Sequence, residues 1–481
     1  MELQHLKKIF FKSMADSVKS KRGREKFCHD GYIYRFDKSS KTQDQVKFWR
    51  CHEDGRCRAR IHTLEREVIK RINEHTHPPS AIAIEVENVL TDARDRAERT
   101  CEPPSTIINK CIEKMSVAGM AQLPNRQAMR KIIRRKRNEV NQVPENPRSI
   151  QELQLPEEYM LYKPTPDTNE NFCLMDRGAG SERIIIFGRE SWLEHIATSK
   201  IWYADGTFAV APQLFYQVYI ILVKKNNGVH PVLYALLQNK QYATYVRLFE
   251  MVKKMSTNTR PDIINCDFER AAFTAMKDSF PGVEVRGCLF HLSQNLLKQL
   301  SGFGLMNLYN TNPDFALHAK MITALCFVPV DDLDTHVDSL AGNLPEELIP
   351  VLNWFEDNYI GRPNRRGAGR RSPLFPTEMW NMHQRTLDGD DRTNNYAEAG
   401  NRRLKSELGM LHPTIWKFID VLRQVQKGRD EYFEKLSCGH EPELKLLRYR
   451  KADERILKIV SEYGIRNEIE YLRSIAHNLM N

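Results

Sequence analysis

The sequence predicts a multidomain protein in which a small β-rich module precedes an α/β domain with a helical C-terminal part. Its 481 residues exceed the roughly 250 to 300 at which a single hydrophobic core stops growing, so about two or three domains are expected. The first 80 residues carry short aromatic strand-like runs, whereas from residue 183 apolar runs alternate with helical stretches. These observations indicate at least two different folding units.

The composition is typical of an ordinary globular chain, and its excess of positive charge favours a polyanionic partner. Hydrophobic residues make up 41% and charged residues 28%, and no apolar run approaches the roughly 20 residues needed to cross a bilayer, so no membrane partner is expected. The N-terminal stretch MELQHLKKIFFKSM lacks an apolar signal core, which points to the cytosol or nucleus. Ten cysteines are too few for a disulfide scaffold in so long a chain. The net charge of +10 favours nucleic acid as a partner.

The N-terminal module is predicted from three strand-like runs, GYIYRF (31–36), VKFWRC (46–51) and RCRARIHTL (56–64), and it ends at HTHPPS. Helix-like segments follow up to about residue 145, and the last of them is PNRQAMRKIIRRKRNEV, with Pro124 near its start. Residues 143 to about 180 are rich in proline and polar residues, which is typical of a linker or an irregular approach to the next domain.

From residue 183 the pattern predicts a mixed sheet covered by helices. The strand-like runs are RIIIFG, IWYADGTF, YQVYIILVKK, HPVLYALL, DIINCDF and VEVRGCLF. Helices are expected at 242–256, 269–279 and 291–300, in most of 305–385, and again at 393–477. Three strands follow one another without helices and later strands alternate with helices, so the sheet should be mixed.

Two cysteines and two histidines of the N-terminal module have the spacing of a metal site. Cys51 and Cys57 lie on an expected hairpin, and one residue separates His75 from His77, so both imidazoles of an extended segment point the same way. Two thiolates and two imidazoles make a closed tetrahedral zinc site, and in so small a module the metal would supply much of the folding free energy. A chance coincidence is the alternative, because other histidines are frequent in this stretch.

The order GYIYRF, FWRC, CRARI and HTHPP is similar to the FLYWCH zinc finger, and the resemblance covers about residues 16–79. It implies structural zinc on the four residues just named, and recognition of nucleic acid or protein by the sheet. Under this resemblance Tyr34 and Trp49 are core residues, whereas Arg58 and Arg60 contact phosphate or simply face water.

Two carboxylates interrupt apolar runs of the second domain. Asp205 stands in IWYADGTFAV, and Asp267 follows a β-rich run in DIINCDFERAA. Burying an isolated charge costs several kcal/mol or more unless it is paired or bound to a cation. Because ligand groups collect at strand ends of α/β sheets, a divalent cation shared by both residues is one interpretation. The plainer one is that Gly206 lets the chain turn after Asp205 and that Asp267 caps a helix beginning near Glu269.

A third carboxylate is expected on a helix within DRTNNYAEAGNRRLKSEL. Asn394, Glu398 and Asn401 recur at i, i+4 and i+7 and form one polar stripe, whereas a solvated face usually carries lysine and glutamate. The alternatives are three aspartates of a glycine-containing loop, Asp388, Asp390 and Asp391.

These motifs, in this order, resemble the MULE transposase domain of Mutator-like elements over roughly residues 183–425. The resemblance rests on RIIIFG, WYADGTF, HPVLYALL, INCDFERAA, GCLFHL, YIGRP with a later MWN, and RTNNYAEAGNRRLK. It implies an RNase H-like catalytic core with a helical insertion at about 305–385, before the last acid. It carries over the acidic triad Asp205, Asp267 and Glu398, and a Cys-x-x-His motif at Cys288 and His291. From the residues alone, that last pair is a core cysteine and a helix-end histidine.

The expected domain order is a FLYWCH-type zinc finger at 16–79, a helical basic region and linker at 80–180, the MULE domain at 183–425 and a helical region at 426–481. Three carboxylates can hold two Mg²⁺ or Mn²⁺ ions, which suits phosphodiester chemistry. We therefore predict a nuclear DNA transposase that acts on terminal inverted repeats and target DNA and assembles as a homo-oligomer on double-stranded DNA. The rivals are a domesticated zinc-dependent DNA-binding regulator without transposition, and a host nuclease that cuts without joining strands.

The basic run RKIIRRKR is a further DNA-binding candidate. On a helix, Ile132 and Ile133 face the protein, while Arg130, Arg134 and Arg137 lie near one face for phosphates. A nuclear import signal and a solvated helix face are the alternatives.

Overall fold

The structure is a computed structural model that describes residues 17–19, 25–40, 45–53, 57–64, 67–100, 102–113, 115–141, 144–180, 182–364, 366, 369–442 and 444–479. Arg56, the first residue of the third strand-like run, lies outside the described residues. The chain divides into two compact units, Met1–Pro144 and Glu145–Asn481. None of the helices in the described part combines the length and apolar character needed to cross a bilayer.

The first unit joins a β-sheet to a group of helices. Its described elements are β1 (Ser17–Lys19), β2 (Glu25–His29), β3 (Tyr32–Ser39), β4 (Val46–Cys51), β5 (Arg60–Leu64), β6 (Glu67–Ile72), α1 (Ala81–Arg99), α2 (Pro104–Ile112), α3 (Val117–Gln122) and α4 (Arg126–Asn141). The six strands pair in chain order as an antiparallel meander. This confirms the β-rich N-terminal module.

One face of this sheet buries aromatic side chains. Tyr34 and Trp49 are both 3% exposed and pack with Phe27 and Ile61, which confirms them as core residues. The Trp49 indole N–H donates to Thr63 Oγ1 at 2.8 Å, so its polar edge is paired inside the core. Register-paired residues such as Arg50 and Arg60 therefore lie on the opposite, solvent-facing side.

The second unit is a mixed α/β domain with many helices. Its described strands are β7 (Leu161–Tyr162), β8 (Glu170–Asn171), β9 (Cys173–Asp176), β10 (Ile185–Phe187), β11 (Ile201–Thr207), β12 (Gln217–Lys225), β13 (Gly228–Leu237), β14 (Ile263–Cys266) and β15 (Glu284–Gly287). Its described helices are α5 (Glu157–Met160), α6 (Leu193–Thr198), α7 (Tyr242–Met255), α8 (Arg270–Ser279), α9 (Leu289–Gly302), α10 (Met306–Thr311), α11 (Pro313–Ala324), α12 (Leu333–Ala341), α13 (Ile349–Phe355), α14 (Thr377–Trp380), α15 (His383–Leu387), α16 (Asn395–Leu408), α17 (Ile415–Ser437), α18 (Leu447–Ser461) and α19 (Glu468–Ala476). Short 3-10 turns lie at Glu190–Trp192, Leu325–Phe327, Val330–Asp332 and Glu346–Leu348, and a π-helical turn lies at Glu356–Ile360.

Seven strands form the central sheet in the order β15-β14-β11-β12-β13-β10-β9. Strands β11, β12 and β13 are antiparallel neighbours, whereas β14 runs parallel to β11 and β15 runs parallel to β14. Strand β13 is buried along its whole length, as expected for a strand covered on both faces. The mixed sheet predicted from the sequence is therefore confirmed, and the carboxyl ends of three parallel strands share one edge.

The stretch from 143 to about 180, predicted to be a linker or an irregular approach, contributes strands and buried side chains to the second unit from residue 145 onward. Strand β9 pairs with β10 at the edge of the sheet, and the side chains of Tyr159, Tyr162 and Phe172 are buried. Strands of two to four residues have too few alternations to be recognised as a pattern, so the sequence indicated an irregular segment here.

Candidate functional site

The four zinc candidates of the first unit meet at one end of its sheet. Their possible ligand atoms all lie within 4.8 Å of one another. His75 Nδ1 is 3.3 Å from His77 Nε2, and the thiol sulfurs of Cys51 and Cys57 are 3.1 and 3.4 Å from His77 Nε2 and His75 Nδ1. Tetrahedral zinc with bonds of about 2.0 Å to nitrogen and 2.3 Å to sulfur requires edges of about 3.3 and 3.5 Å. The four residues fit structural zinc.

Neighbouring groups hold both imidazoles by the nitrogen that faces away from the cluster. The Tyr34 hydroxyl is 2.8 Å from His75 Nε2, and His77 Nδ1 is 3.1 Å from the Pro78 carbonyl oxygen. The Tyr32 ring stacks on the His75 ring at 3.5 Å. Such outer contacts fix the ring orientation and the tautomer that a metal needs. Tyr34 is thus both a core residue and a support for the His75 ring.

The first two acids lie opposite each other on neighbouring parallel strands. Strand β11 pairs with β14 as Ile201 with Ile263 and Tyr203 with Asn265. Two residues further along, the same register brings Asp205 opposite Asp267, and adjacent strands are only about 4.8 Å apart. Both carboxylates therefore lie at the shared carboxyl-terminal edge of the sheet.

The plainer interpretations of these two acids are not what the structure shows. The expected turn at Gly206 is wrong: β11 continues to Thr207 because it stays paired with β12, and a Cβ on Gly206 would lie 2.5 Å from Gln217 Oε1. Helix α8 begins at Arg270 with Glu269 as its N-cap residue, so the expectation that Asp267 caps this helix is also wrong.

Helix α16 brings the polar stripe Asn394, Glu398 and Asn401 to the same edge of the sheet. Asn401 Nδ2 donates to Asp205 Oδ2 at 2.7 Å, and Asn394 Nδ2 donates to the Ala204 carbonyl at 2.9 Å. Asn394, at the helix start, is fully buried. These two amides join the helix to β11 on either side of Glu398 in the stripe.

Cys288, at the end of β15, provides a further contact between the sheet and the start of α16. It follows β15 directly, is 1% exposed, and its sulfur accepts the Asn394 backbone N–H at 3.1 Å. The Leu289 N–H donates to the Arg392 carbonyl at 2.9 Å. Cys288 is therefore a buried cysteine that also anchors the start of α16. Sequence reasoning missed this role because its partner is distant in the chain.

His291 lies in the first turn of α9, as expected for a helix-end histidine, and it also lies close to two of the acids. Its Nδ1 is 3.6 Å from Asp267 Oδ1 and its Nε2 is 3.9 Å from Glu398 Oε1. Burial lowers the pKa of His291, but the hydrogen bond to Cys288 and the charge of Asp267 outweigh it and raise that pKa to about 9. The imidazolium thus partly neutralises the carboxylates around it.

Burial disfavours the charged forms of Asp205 and Glu398. Burial raises the pKa of Asp205 to about 6, His291 opposes this increase, and Asp267 adds to it. Burial also raises the pKa of Glu398, against the nearby charge of His291. Asp267 and Glu398 lie on different sides of the His291 ring, and carboxylate oxygens are the ligands that a hard divalent cation such as Mg²⁺ or Mn²⁺ prefers. The ligand atoms of Cys288, His291 and Glu398 also lie within 4.8 Å of one another.

The loop aspartates have other partners. Asp390 pairs with Arg286 at 2.6 Å, and Asp391 accepts the Tyr203 hydroxyl at 2.6 Å. These contacts tie Asp390 and Asp391 to side chains of the scaffold, whereas the Glu398 carboxylate lies 3.9 Å from His291 Nε2.

The basic candidates of the first unit divide into two groups. Arg137 donates to the carbonyls of Ala97, Thr100 and Glu102 near the end of α1, which favours a structural role over phosphate contact. Arg130 and Arg134 are exposed on α4, and Arg58 is exposed beside β5. Arg60 is exposed and lies 3.6 Å from Asp37.

Comparisons with known proteins bear on both sites. A family model described as the FLYWCH zinc finger domain matches residues 17–77, and one described as the MULE transposase domain matches residues 201–295. FLYWCH transcription factor 2 of Caenorhabditis elegans is 39% identical over 61 residues, which are 12% of this chain and 13% of that protein. The chain therefore contains a FLYWCH zinc finger domain and a MULE transposase domain. The MULE match includes Asp205, Asp267, Cys288 and His291, and it ends before Glu398.

Proposed function

We propose that this protein is a DNA transposase of the Mutator-like class, which binds element ends and catalyses metal-dependent cleavage and transfer of DNA strands. The observation that supports the proposal is that Asp205 and Asp267 lie in register on neighbouring strands while Asp267 and Glu398 both lie within 4 Å of His291, with Asp205 and Asp267 inside the matched MULE domain. Three antiparallel strands followed by two parallel ones beside β11 also support an RNase H-like core.

In such a site, the three acidic residues would bind the metal ions from different elements of the fold. Two divalent cations supply, when bound, activation of a water or 3′-hydroxyl nucleophile and stabilisation of the leaving 3′-oxygen. Asp205 would act as a ligand from a strand that is paired on both sides, and Asp267 would act from the end of the neighbouring strand. Glu398 would complete the set from α16, while Asn401 orients the Asp205 carboxylate through its 2.7 Å hydrogen bond.

DNA binding would come mainly from the first unit. The zinc cluster holds together a sheet whose solvent face carries Arg60, with Arg58 beside it, and α4 exposes Arg130 and Arg134. Arginines contact phosphates, and such contacts fix the position of a protein on a duplex. We extend the proposal to a nuclear location, terminal inverted repeats and target DNA as substrates, and a homo-oligomer assembled on DNA.

The second candidate is a domesticated DNA-binding regulator. The match to a protein named as a transcription factor favours it, although that match is confined to the zinc finger. The two candidates differ in one measurable property, because a regulator would bind specific DNA without Mg²⁺-dependent cleavage.

The test is Mg²⁺-dependent nicking and strand transfer on duplex DNA carrying the terminal repeats that flank the coding region. Asp205→Asn, Asp267→Asn and Glu398→Gln should each abolish cleavage and leave DNA binding intact. Asp262→Asn is the matched control, because Asp262 is exposed at the opposite end of β14. Cleavage retained by Asp205→Asn would refute the assignment, and binding without cleavage by the unsubstituted protein would support the regulator.

A further inference from the structure

We infer that residues 80–141 form a second DNA-binding module, of helix-turn-helix type, whose helix α4 lies in the major groove of duplex DNA. The inference deepens the DNA binding of the proposed function and does not depend on cleavage. It begins with the order of elements: the short helix α3, a connection of three residues at 123–125, and the longer helix α4. This order of elements and this turn length are features of that motif.

Both helices have fixed starts. Asn125 Oδ1 accepts the Ala128 N–H at 2.9 Å and so caps α4. Ser116 Oγ accepts the Gly119 N–H at 3.0 Å and so caps α3, and Ser116 itself donates to both oxygens of Glu85 on α1 at 2.7 and 2.6 Å. Helix α3 is thereby attached to α1, and α4 begins at a defined residue after the turn.

The inner face of α4 fixes its rotation about its own axis. Met129 and Ile133 are at most 1% exposed and pack with residues of α1 and α2 such as Leu90 and Ile108. On the same side, Lys136 pairs with Glu98 at 3.1 Å, and Arg137 donates to the three carbonyls near the end of α1. The opposite face of α4 must therefore point to solvent.

That outer face carries a concentrated positive charge. The exposed residues are Gln127, Arg130, Lys131, Arg134 and Arg135. No acidic residue interrupts the helix before Glu139, and within the part of the chain that the structure describes none of the four cations lies in an ion pair. An ordinary solvated helix face mixes both signs, so four unneutralised cations on two turns of a capped helix favour a polyanion.

The residue types suit a duplex read through its major groove. Residues near the start of a recognition helix contact base edges, and arginine pairs with guanine while glutamine pairs with adenine. Gln127 and Arg130 would therefore contact bases, and Arg134 and Arg135 would contact phosphates. A nuclear-import receptor is a different partner for the same charges, and the experiment below distinguishes it.

The test measures binding of the zinc-loaded full-length chain to a short duplex DNA of random sequence at several salt concentrations, without divalent cations other than zinc. The test variant changes Arg130, Lys131, Arg134 and Arg135 to Gln. The control variant changes Arg448, Lys451, Arg455 and Lys458 to Gln, which removes equal charge from the exposed side of helix α18. Because each phosphate contact contributes about 0.9 to the slope of log K against log salt, loss of the Arg134 and Arg135 contacts should lower that slope by about 2 in the test variant.

The control should keep most of the wild-type slope, and a binding-site selection with Gln127→Ala should shift the preferred bases. Thermal unfolding checks that each variant folds, and the single change Arg134→Gln, with an expected loss of about 0.9 in slope, serves if the fourfold variant does not fold. Wild-type affinity and slope in the test variant would overturn the inference. If that variant kept DNA binding and lost only nuclear accumulation, the charges would serve a nuclear-import receptor instead. Equal losses in the test and control variants would overturn it as well.

Discussion

Asp205 is the residue whose environment is hardest to reconcile with a structural role. It lies in a strand with Ala204 and Tyr203 buried beside it, and burial raises its pKa to about 6. Only two donors reach its carboxylate among the hydrogen bonds of the described residues, the Gly206 N–H and the Asn401 amide. Because a carboxylate has about four acceptor sites, the remaining ones are available to a cation.

Asn401 should therefore tune the site without being essential to the fold. We expect Asn401→Ala to weaken Mg²⁺ or Mn²⁺ binding by about 10- to 100-fold, because outer hydrogen bonds orient metal ligands. Isothermal titration calorimetry with Mn²⁺ would measure the loss. Asn395→Ala, at an exposed position of the same helix, is the control, and equal affinities for the two variants would contradict the proposed role of Asn401.

Substitutions of Arg137 and Arg134 should affect different properties, stability and DNA binding, although the two residues lie one helical turn apart. Arg137→Ala removes donors from three carbonyls near the end of α1, so we expect the free energy of unfolding of the first unit to fall by about 2 kcal/mol. Arg134→Ala, at an exposed position, should change it by less than about 0.5 kcal/mol and weaken DNA binding instead. Urea unfolding and DNA titration of both variants would show whether the two effects separate.

At the scale of elements, local patterns were predictable and long-range partners were not. The i, i+4, i+7 spacing correctly placed Asn394, Glu398 and Asn401 on one helix face. What that face contacts could not be predicted, because Ala204 and Asp205 lie almost 200 residues earlier in the chain. The turn expected at Gly206 was wrong for the same physical reason: pairing with β12 outweighs the local preference of glycine for turns.

The sheet of the first unit should depend on its metal. Apparent zinc-binding free energies of small fingers, about 10–16 kcal/mol, are comparable to the whole stability of a typical domain. We expect the unsubstituted chain to contain one zinc ion, measured by mass spectrometry. Cys57→Ser should abolish this zinc content and unfold strands β2 to β6. His62→Gln is the control, since the ring of His62 packs against Phe48 outside the cluster. Zinc retained by Cys57→Ser, or lost by His62→Gln, would contradict this ligand set.

At the scale of the whole molecule, the chain combines one unit with a basic surface and one unit with an acidic site. The first could be predicted from a few closely spaced Cys, His and Arg residues, because metal-ligand sets and basic helices are local in sequence. The second required a resemblance to connect Asp205, Asp267 and Glu398, since only the parallel register of β11 and β14 brings the first two together. Short edge strands such as β9 were unpredictable, because their pairing partner decides their structure.

The second unit should also lose stability in acid because of a residue outside its acidic site. His230 on β13 is fully buried, with the rings of Trp192 and Phe433 at 6.0 and 5.1 Å. Burial lowers the pKa of His230 from 6.5 to about 4, and the charge of Arg429 adds to this decrease. The unfolded chain therefore binds a proton at a higher pH than the folded chain. The stabilisation is complete above about pH 6.5 and is lost as the pH falls toward 4.

We expect this single group to remove about 2 kcal/mol from the free energy of unfolding between neutral pH and about pH 5. His230→Phe, which keeps an aromatic ring in the same apolar surroundings, should reduce that pH dependence. Part of it should remain, because burial also lowers the pKa of the neighbouring His195. Urea unfolding of the full chain at both pH values would measure the difference, with His440→Phe at an exposed position as the control. Equal acid sensitivity in all three proteins would show that His230 is not the group that titrates.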